Sequence, residues 1–228
     1  MPNKIQPGLR KPKTRVLLVD DHPILRRGLA QLINQEADMA VCGEAEDAPK
    51  AFHAVSTLTP DIAVVDISLK GGNGIELIKN VKARFPDLPI LVLSMHDESL
   101  YAERALRAGS LGYIMKEEAI EQVLVAIRKV LTGEIFLSDK MKAKLLQQLA
   151  NGRGKTITSP IEHLTDRELE VFRLIGEGRS TRQIAAELHL SVRTVEAYRE
   201  YIKGKLNLKN STELVQHAFH WVHHEAAA

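Results

Sequence analysis

A single cysteine, Cys42, stands in a chain of 228 residues, so no disulfide can close within it. A reducing cytoplasm is therefore the expected setting. Net charge is also scarce. An excess of +2 is too small to imply nucleic acid by bulk attraction, so any case for DNA has to rest on local pattern. The opening stretch MPNKIQPGLRKPKTR is basic but lacks the apolar core of a secretory signal. No apolar run approaches the length of a bilayer span, and no membrane partner is expected. There is no internal repeat, and the second half has no strand pattern.

What is present is ordinary for packed domains: 44% hydrophobic and 26% charged residues, in a length that suits one large domain or two small ones. Residues 1–13 read as a flexible basic arm. Beyond them the first half alternates apolar runs with helical patterns. RVLLVD, from Arg15, and DIAVVD, from Asp61, each end in a carboxylate. PILVLS, from Pro89, ends in a hydroxyl, and GYIMK, from Gly112, ends in an amine. A weaker run, MAVCG, begins at Met39. Continuous apolar runs suit strands buried on both faces. Between them lie amphipathic segments such as Ile120, Val123, Leu124, Ile127 and Leu131, stopped by Gly133. This alternation predicts an α/β domain with a doubly wound, five-stranded parallel sheet.

The second half predicts helices only. Residues 138–149 read as one, with Met141, Leu145, Leu146 and Leu149 on one side, and the glycine-rich, basic residues 151–155 read as a break. Four short helices then follow, a small all-α unit. Thr165 with Glu168 and Ser180 with Gln183 form capping boxes; Ser191 caps a third helix, and Asn210 with Glu213 starts a fourth. The glycines Gly176 and Gly178 end the first.

In a doubly wound sheet the carboxyl ends of the strands converge where ligands bind. Here those ends carry Asp20, Asp21, Asp66, Ser94 and Lys116. Clustered carboxylates repel one another unless a hard divalent cation such as Mg2+ sits among them. A hydroxyl and an ammonium beside them suit phosphoryl oxygens. Each residue alone has a plainer reading: a helix cap, a loop acid, a turn hydroxyl, a solvated charge. All five at successive strand ends point to phosphoryl chemistry on a carboxylate.

The motifs VLLVDDHPILRRGL, PDIAVVDISLKGGNGIEL, ILVLSMHD and AGSLGYIMKEEA, over residues 14–131, resemble the receiver domain of bacterial two-component response regulators. The resemblance implies that Asp66 is the phospho-acceptor. It implies that Asp21 binds Mg2+ directly, Asp20 through water, and Ser68 through its backbone carbonyl. Ser94 and Lys116 would contact the phosphoryl group, and Tyr113 would respond to Ser94. An aromatic on a short strand is also often plain core. Many receivers carry a proline after the acceptor; this chain has Ser68-Leu69-Lys70-Gly71-Gly72, for which a more pliant loop is expected.

LTDRELEV, GRSTRQIAAELHLS and RTVEAYREYIKGKL, over residues 164–218, resemble the LuxR/FixJ type of helix-turn-helix, and the two halves together resemble the NarL/FixJ family of transcription factors. The expected division is a receiver at 14–133, a linker with a helix at 134–160 and a DNA-binding domain at 161–228. Val192, Val195, Ile202 and Leu206 would form the buried stripe of the recognition helix, and Ile184, Ala185 and Leu188 that of the helix before it. Arg193, Thr194, Glu196, Ala197 and Glu200, flanked by Lys203, would face the major groove. Arg182 and Gln183 would hold phosphates, and Arg199, near the stripe, would be structural or phosphate-pairing. Family members often carry lysine where this chain has Glu196 and histidine where it has Tyr198. A carboxylate there can accept from cytosine or repel wrong sequences; the plainer reading is a solvated face with salt bridges to Arg193, Lys203 or Lys205.

On the last helix, Leu214, Val215, Ala218 and Trp221 are candidates for a homodimer seam in the phosphorylated state, though a Trp near a chain end is also often a core plug. His217, His220, His223 and His224 read as packed or solvated rather than as metal ligands. The implied partners are a histidine kinase and double-stranded DNA, and no enzyme activity is expected. An aspartate-nucleophile phosphatase would carry its two acids two apart on the first strand. A flavodoxin-like FMN binder would need a hydroxyl-rich loop where Asp20-Asp21-His22-Pro23 stands. A constitutive DNA binder would not need the intact pocket.

Overall fold

The computed structural model describes residues 12–70, 72–150 and 160–225. Its first part runs β1 (Thr14–Val19), α1 (Pro23–Gln35), β2 (Met39–Ala45), α2 (Ala48–Leu58), β3 (Ile62–Asp66), β4 (Ser68–Leu69), β5 (Gly72–Asn73), α3 (Gly74–Arg84), β6 (Ile90–Ser94), α4 (Glu98–Ala108), β7 (Gly112–Met115) and α5 (Ala119–Leu131). Five strands form one sheet in the order β2-β1-β3-β6-β7, and every pair is parallel. The order reverses between β1 and β3, so a crevice opens beyond the carboxyl ends of these two strands.

Alternation along each strand divides the core. Leu17, Val19, Ala63, Val65, Ile90 and Val92 pack with Ala51 and Val55 of α2, Ile75, Ile78 and Val81 of α3, and Ala102 and Ala105 of α4. Val16, Leu18, Ile62, Val64, Leu91 and Leu93 pack on the other face with Leu29 and Ile33 of α1 and Val123, Ile127 and Val130 of α5. Each fully buried aliphatic side chain contributes roughly 1.5–3 kcal/mol. Side chains of Asp47, Asn73 and Asp97 cap α2, α3 and α4.

The loop after β3 carries a short antiparallel pair. Ser68 pairs with Asn73 and Leu69 with Gly72, antiparallel, and the N–H of Gly74 donates to the Ile67 carbonyl at 2.8 Å. A Cβ on Gly74 would meet the Asp66 carbonyl oxygen at 2.1 Å, so α3 starts hard against the end of β3 and only glycine fits.

The second part runs α6 (Asp139–Ala150), a single tight turn (Pro160–His163), α7 (Asp166–Gly176), α8 (Thr181–Glu187), α9 (Val192–Leu206) and α10 (Ser211–Glu225). Both capping boxes form, Thr165 with Glu168 and Ser180 with Gln183. Ser191 caps α9, and the Glu213 N–H donates to Asn210 Oδ1 at 2.9 Å. Met141 is buried, but Leu146 is exposed, contrary to its place in the expected apolar side of α6. The break at 151–155 and the Leu149 side chain lie outside the described residues.

Val195 and Ile202 are fully buried, whereas Val192, in the first turn of α9, reaches past the edge of the core and is exposed. Leu214 and Ala218 are 0% exposed, which removes them from the expected seam. They are covered by their own domain, because α7 and α10 approach so closely that a Cβ on Gly176 would meet the Ala218 carbonyl oxygen at 2.3 Å. Trp221, half-buried, packs on Phe172 with ring centroids 5.5 Å apart. Of the four candidates Val215 alone is exposed, and Phe219, one turn on, is exposed with it.

Two glycines in this domain give opposite expectations. Gly176→Ala forces apart the α7–α10 contact and should destabilise the domain by about 1–3 kcal/mol. Gly204→Ala adds a methyl with nothing within 4 Å inside α9 and should stabilise it by about 0.5–1 kcal/mol. Urea-unfolding midpoints moving in opposite directions check both.

Candidate functional site

Three strand ends meet at the switch point. Asp20 follows β1, Asp66 closes β3 and Lys116 follows β7. The registers pairing Val19 with Val65, Asp66 with Leu93 and Ser94 with Met115 bring them to one rim. Lys116 Nζ lies 2.8 Å from Asp20 Oδ2 and 2.7 Å from Asp66 Oδ2, with all three side chains at most 5% exposed. Asp66 Oδ1 accepts the Ser68 N–H at 3.1 Å, and Asp20 Oδ1 accepts the His22 N–H at 2.7 Å.

Burial, opposed by the Lys116 ammonium, pushes Asp66 up to about 6. At Lys116 burial works against the charge, but the Asp66 and Asp20 carboxylates outweigh it and raise its pKa. One ammonium thus serves two buried carboxylates, with Asp21 beside them, and negative charge is left over. Asp20 Oδ2 and Asp21 Oδ1 are buried without a directed hydrogen-bond donor, having only the charges of their neighbours nearby. Asp20, Asp21, His22 and Asp66 each bring one donor atom into a group spanning at most 4.8 Å. Carboxylate oxygens so placed fit a hard divalent cation such as Mg2+.

Ser94 is fully buried, and its hydroxyl oxygen accepts the His96 N–H at 3.1 Å. Tyr113 is 1% exposed, and its hydroxyl donates to the His96 carbonyl at 2.7 Å; burial raises its pKa. His96, which the sequence reading passed over, joins these groups to the acceptor loop. Its Nε2 lies 2.7 Å from Ser68 Oγ, and its ring stacks on Tyr101 of α4 at 4.6 Å. Burial, helped by Arg173 and Lys116, pushes this imidazole down to about 3, so it is neutral near pH 7. A histidine two residues after Ser94 was the only available signal.

From α4 the contacts continue into the helical part. Arg104 Nη1 donates to the Leu164 carbonyl at 2.8 Å and pairs with Asp166 Oδ1 at 3.0 Å. Its Nη2 reaches the carbonyls of Ile161 and Glu162 at 3.4 and 3.2 Å. Lys79 of α3 also pairs with Asp166, at 2.8 Å, and Asn73 donates to Glu170 at 3.3 Å. These bonds land on the turn before α7 and on the first half of α7.

The outer face of α9 is turned elsewhere. Arg193, Glu196 and Glu200 are exposed, Thr194, Ala197 and Lys203 are half-buried, and Arg182 and Gln183 at the start of α8 are exposed. Glu200 pairs with Lys203 at 2.9 Å, while Lys205 is engaged by Glu168 at 2.6 Å. Arg199 is half-buried, and burial lowers its pKa against the pull of Glu200 and Glu196. Among the described residues, the histidines of α10 join no cluster able to hold a metal; His217 packs near Phe172 and His223 stacks on Phe219.

Comparison with known proteins matches the family model "Response regulator receiver domain" to residues 16–128 and "Bacterial regulatory proteins, luxR family" to residues 162–218. The chain is 36% identical over 208 residues to the Oxygen regulatory protein NreC of Staphylococcus carnosus, covering 90% of this chain and 96% of that one. A LuxR-family two-component response regulator from Aurantimonas is 34% identical, with TM-score 0.57 over 61% of this chain and 99% of that one. RcsB of Salmonella enterica serovar Typhimurium, bound to a promoter in the presence of phosphomimetic BeF3-, is 28% identical, with TM-score 0.64 over 91% of this chain and 98% of that one.

The raised pKa of Asp66 has a sign that can be measured. The folded state holds this proton more tightly than the unfolded chain, so stability present below pH 3.8 is lost as pH rises to about 6. Asp66→Asn removes that loss. Without divalent cations, the variant should gain on the parent by up to about 3 kcal/mol across this window and by no more above it. Paired denaturant titrations from pH 4.5 to 7 check it; a constant difference would mean that Asp66 titrates normally.

Proposed function

The chain belongs to the two-component response regulators that join a receiver domain to a LuxR-type DNA-binding domain, and on that premise we propose that Asp66 is the residue through which phosphorylation controls its DNA binding. The family takes phosphoryl groups from histidine kinases and regulates transcription, and it is a family of DNA-binding regulators rather than of enzymes. The observation that carries the assignment is Asp66 itself: 1% exposed, at the switch point, 2.7 Å from Lys116 Nζ.

The Asp66 carboxylate attacks phosphorus, a P–O bond forms, and the P–N bond to the donor imidazole breaks as that imidazole takes up a proton. Asp20, Asp21, Asp66 and the Ser68 carbonyl would hold Mg2+, which supplies charge neutralisation when bound. Lys116 offsets charge on the phosphoryl group. The Ser94 hydroxyl, which accepts from the His96 N–H, keeps its own proton to donate to a phosphoryl oxygen. A Ser94 drawn toward that oxygen pulls on the His96 segment, which is tied to Tyr113, to Ser68 and, through Tyr101, to α4. The same helix carries Arg104, so the movement reaches the helical domain. Because Arg193, Glu196 and Glu200 on the outer face of α9 are already exposed, we read the gate as one of domain placement and homodimer formation rather than of unmasking. Val215 and Phe219 offer the exposed apolar surface on α10 for the dimer.

We retain the division into a receiver at 14–133, a linker with a helix at 134–160 and a DNA-binding domain at 161–228, with a cytoplasmic location suited to a DNA partner. Among the described residues no helix is long and apolar enough to cross a membrane. Arg182 and Gln183 hold phosphates; Arg193, Thr194, Glu196, Ala197, Glu200 and Lys203 face the groove.

Selection from a random duplex DNA pool, with and without beryllofluoride and Mg2+, tests the gate. An inverted repeat should be enriched only with the phosphoryl mimic, and Asp66→Ala should abolish both phosphoryl labelling and this dependence. Full labelling of Asp66→Ala would sink the acceptor assignment. On the same pool, Glu196→Lys should change sequence preference more than overall affinity, by about 1–3 kcal/mol at the affected base pair. A uniform rise across all sequences would return Glu196 to a solvated face.

A further inference from the structure

His22 sits at the mouth of the acidic pocket, and the helix it precedes does not use its side chain as a cap. It is the N-cap residue of α1, yet its imidazole makes no capping bond. Its backbone is held in place: the N–H donates to Asp20 Oδ1 at 2.7 Å, and Pro23 follows in the first turn of α1. The ring is 60% exposed on its outer side, and its Nδ1 is turned inward. Nδ1 lies 2.8 Å from Asp21 Oδ1, 3.3 Å from Asp20 Oδ1 and 3.9 Å from Asp66 Oδ2. It is also 3.3 Å from Lys116 Nζ, a group that can only donate, so in the tautomer that leaves Nδ1 unprotonated its lone pair faces the same space as the carboxylate oxygens.

These separations are those of donors around one small cation. Ligands about 2.1 Å from an octahedral ion lie about 3 Å apart along an edge and about 4.2 Å apart across it. Nδ1 stands at about the edge distance from Asp21 Oδ1 and Asp20 Oδ1 and near the full span from Asp66 Oδ2, separations that one such ion would suit. With Nδ1 unprotonated, four acceptors gather round one point; Lys116 Nζ offsets part of their repulsion, and a shared cation would remove the rest. Mg2+ gains little from an imidazole, whereas the first-row ions from Mn2+ onward bind nitrogen progressively better.

We infer that His22 Nδ1 is a fourth side-chain donor to the divalent cation of this pocket, and that it shifts the site's preference from Mg2+ toward Mn2+ and the later first-row ions. The inference rests on the metal-binding reading given above, and its failure is separable from the failure of that reading. Asn is a favoured N-cap residue, so His22→Asn keeps α1 and removes only the nitrogen donor.

The test uses the full chain with Mn2+ alone, read by pulsed EPR, together with calorimetric titration by Mn2+ and by Mg2+. The parent protein should show a nitrogen coupled directly to Mn2+, and His22→Asn should lose it. The ratio of Mn2+ to Mg2+ affinity should fall by at least the roughly tenfold that loss of an outer-shell partner costs. Mn2+ bound without nitrogen coupling, or with coupling that survives His22→Asn, overturns the imidazole ligand and leaves the carboxylate site standing. A parent protein that binds neither ion overturns both readings.

Discussion

One ammonium between two buried carboxylates is the constraint that the receiver pocket is built around. Lys116 cannot leave Asp20 and Asp66 without leaving charge uncompensated in the protein interior, and it cannot neutralise both. That shortfall forces β1, β3 and β7 to end at one level, since each must deliver its group to the same point. It also accounts for lysine rather than arginine here. β6 separates β7 from β3, and a flexible stem with a compact charge can reach across that strand, where a rigid fork would have to find planar partners. The excess negative charge at the rim suits a cation, and on the proposed reading that cation would make the Asp66 carboxylate serviceable as a nucleophile.

Much of this was legible because strand ends are marked in sequence. An apolar run that stops on Asp66, Ser94 or Lys116 announces both the strand and the residue at its mouth. The helix starts at Thr165, Ser180 and Ser191 were equally plain, since capping is local chemistry. What sequence could not tell was which apolar positions of a helix are covered, and by what. Leu214 and Val215 are adjacent and equally apolar, yet one is fully buried and the other faces out, a distinction made by how α10 packs within its domain. Val192 and Leu146 went astray for the same reason.

The histidines were opaque in a different way. An imidazole takes its role from its neighbours, and those of His22 and His96 come from strands far away in the chain. His96 in particular holds Ser68, Ser94 and Tyr113 together while staying uncharged. The groups expected to respond to a phosphoryl group are therefore already linked to one another before it arrives. The same cluster touches α4 through Tyr101, and α4 is also the helix whose Arg104 bonds to the turn before α7.

That grip is made chiefly to main-chain oxygens. Arg104 spends most of its donors on the carbonyls of Ile161, Glu162 and Leu164, with Asp166 as its side-chain partner among the described residues. Carbonyls survive nearly any substitution at the residues that bear them, so this joint asks little of the sequence on the helical side beyond its path. A lineage can thus change the outer face of α9 freely, and the receiver will keep its handhold as long as the path of the turn and the acids Asp166 and Glu170 remain.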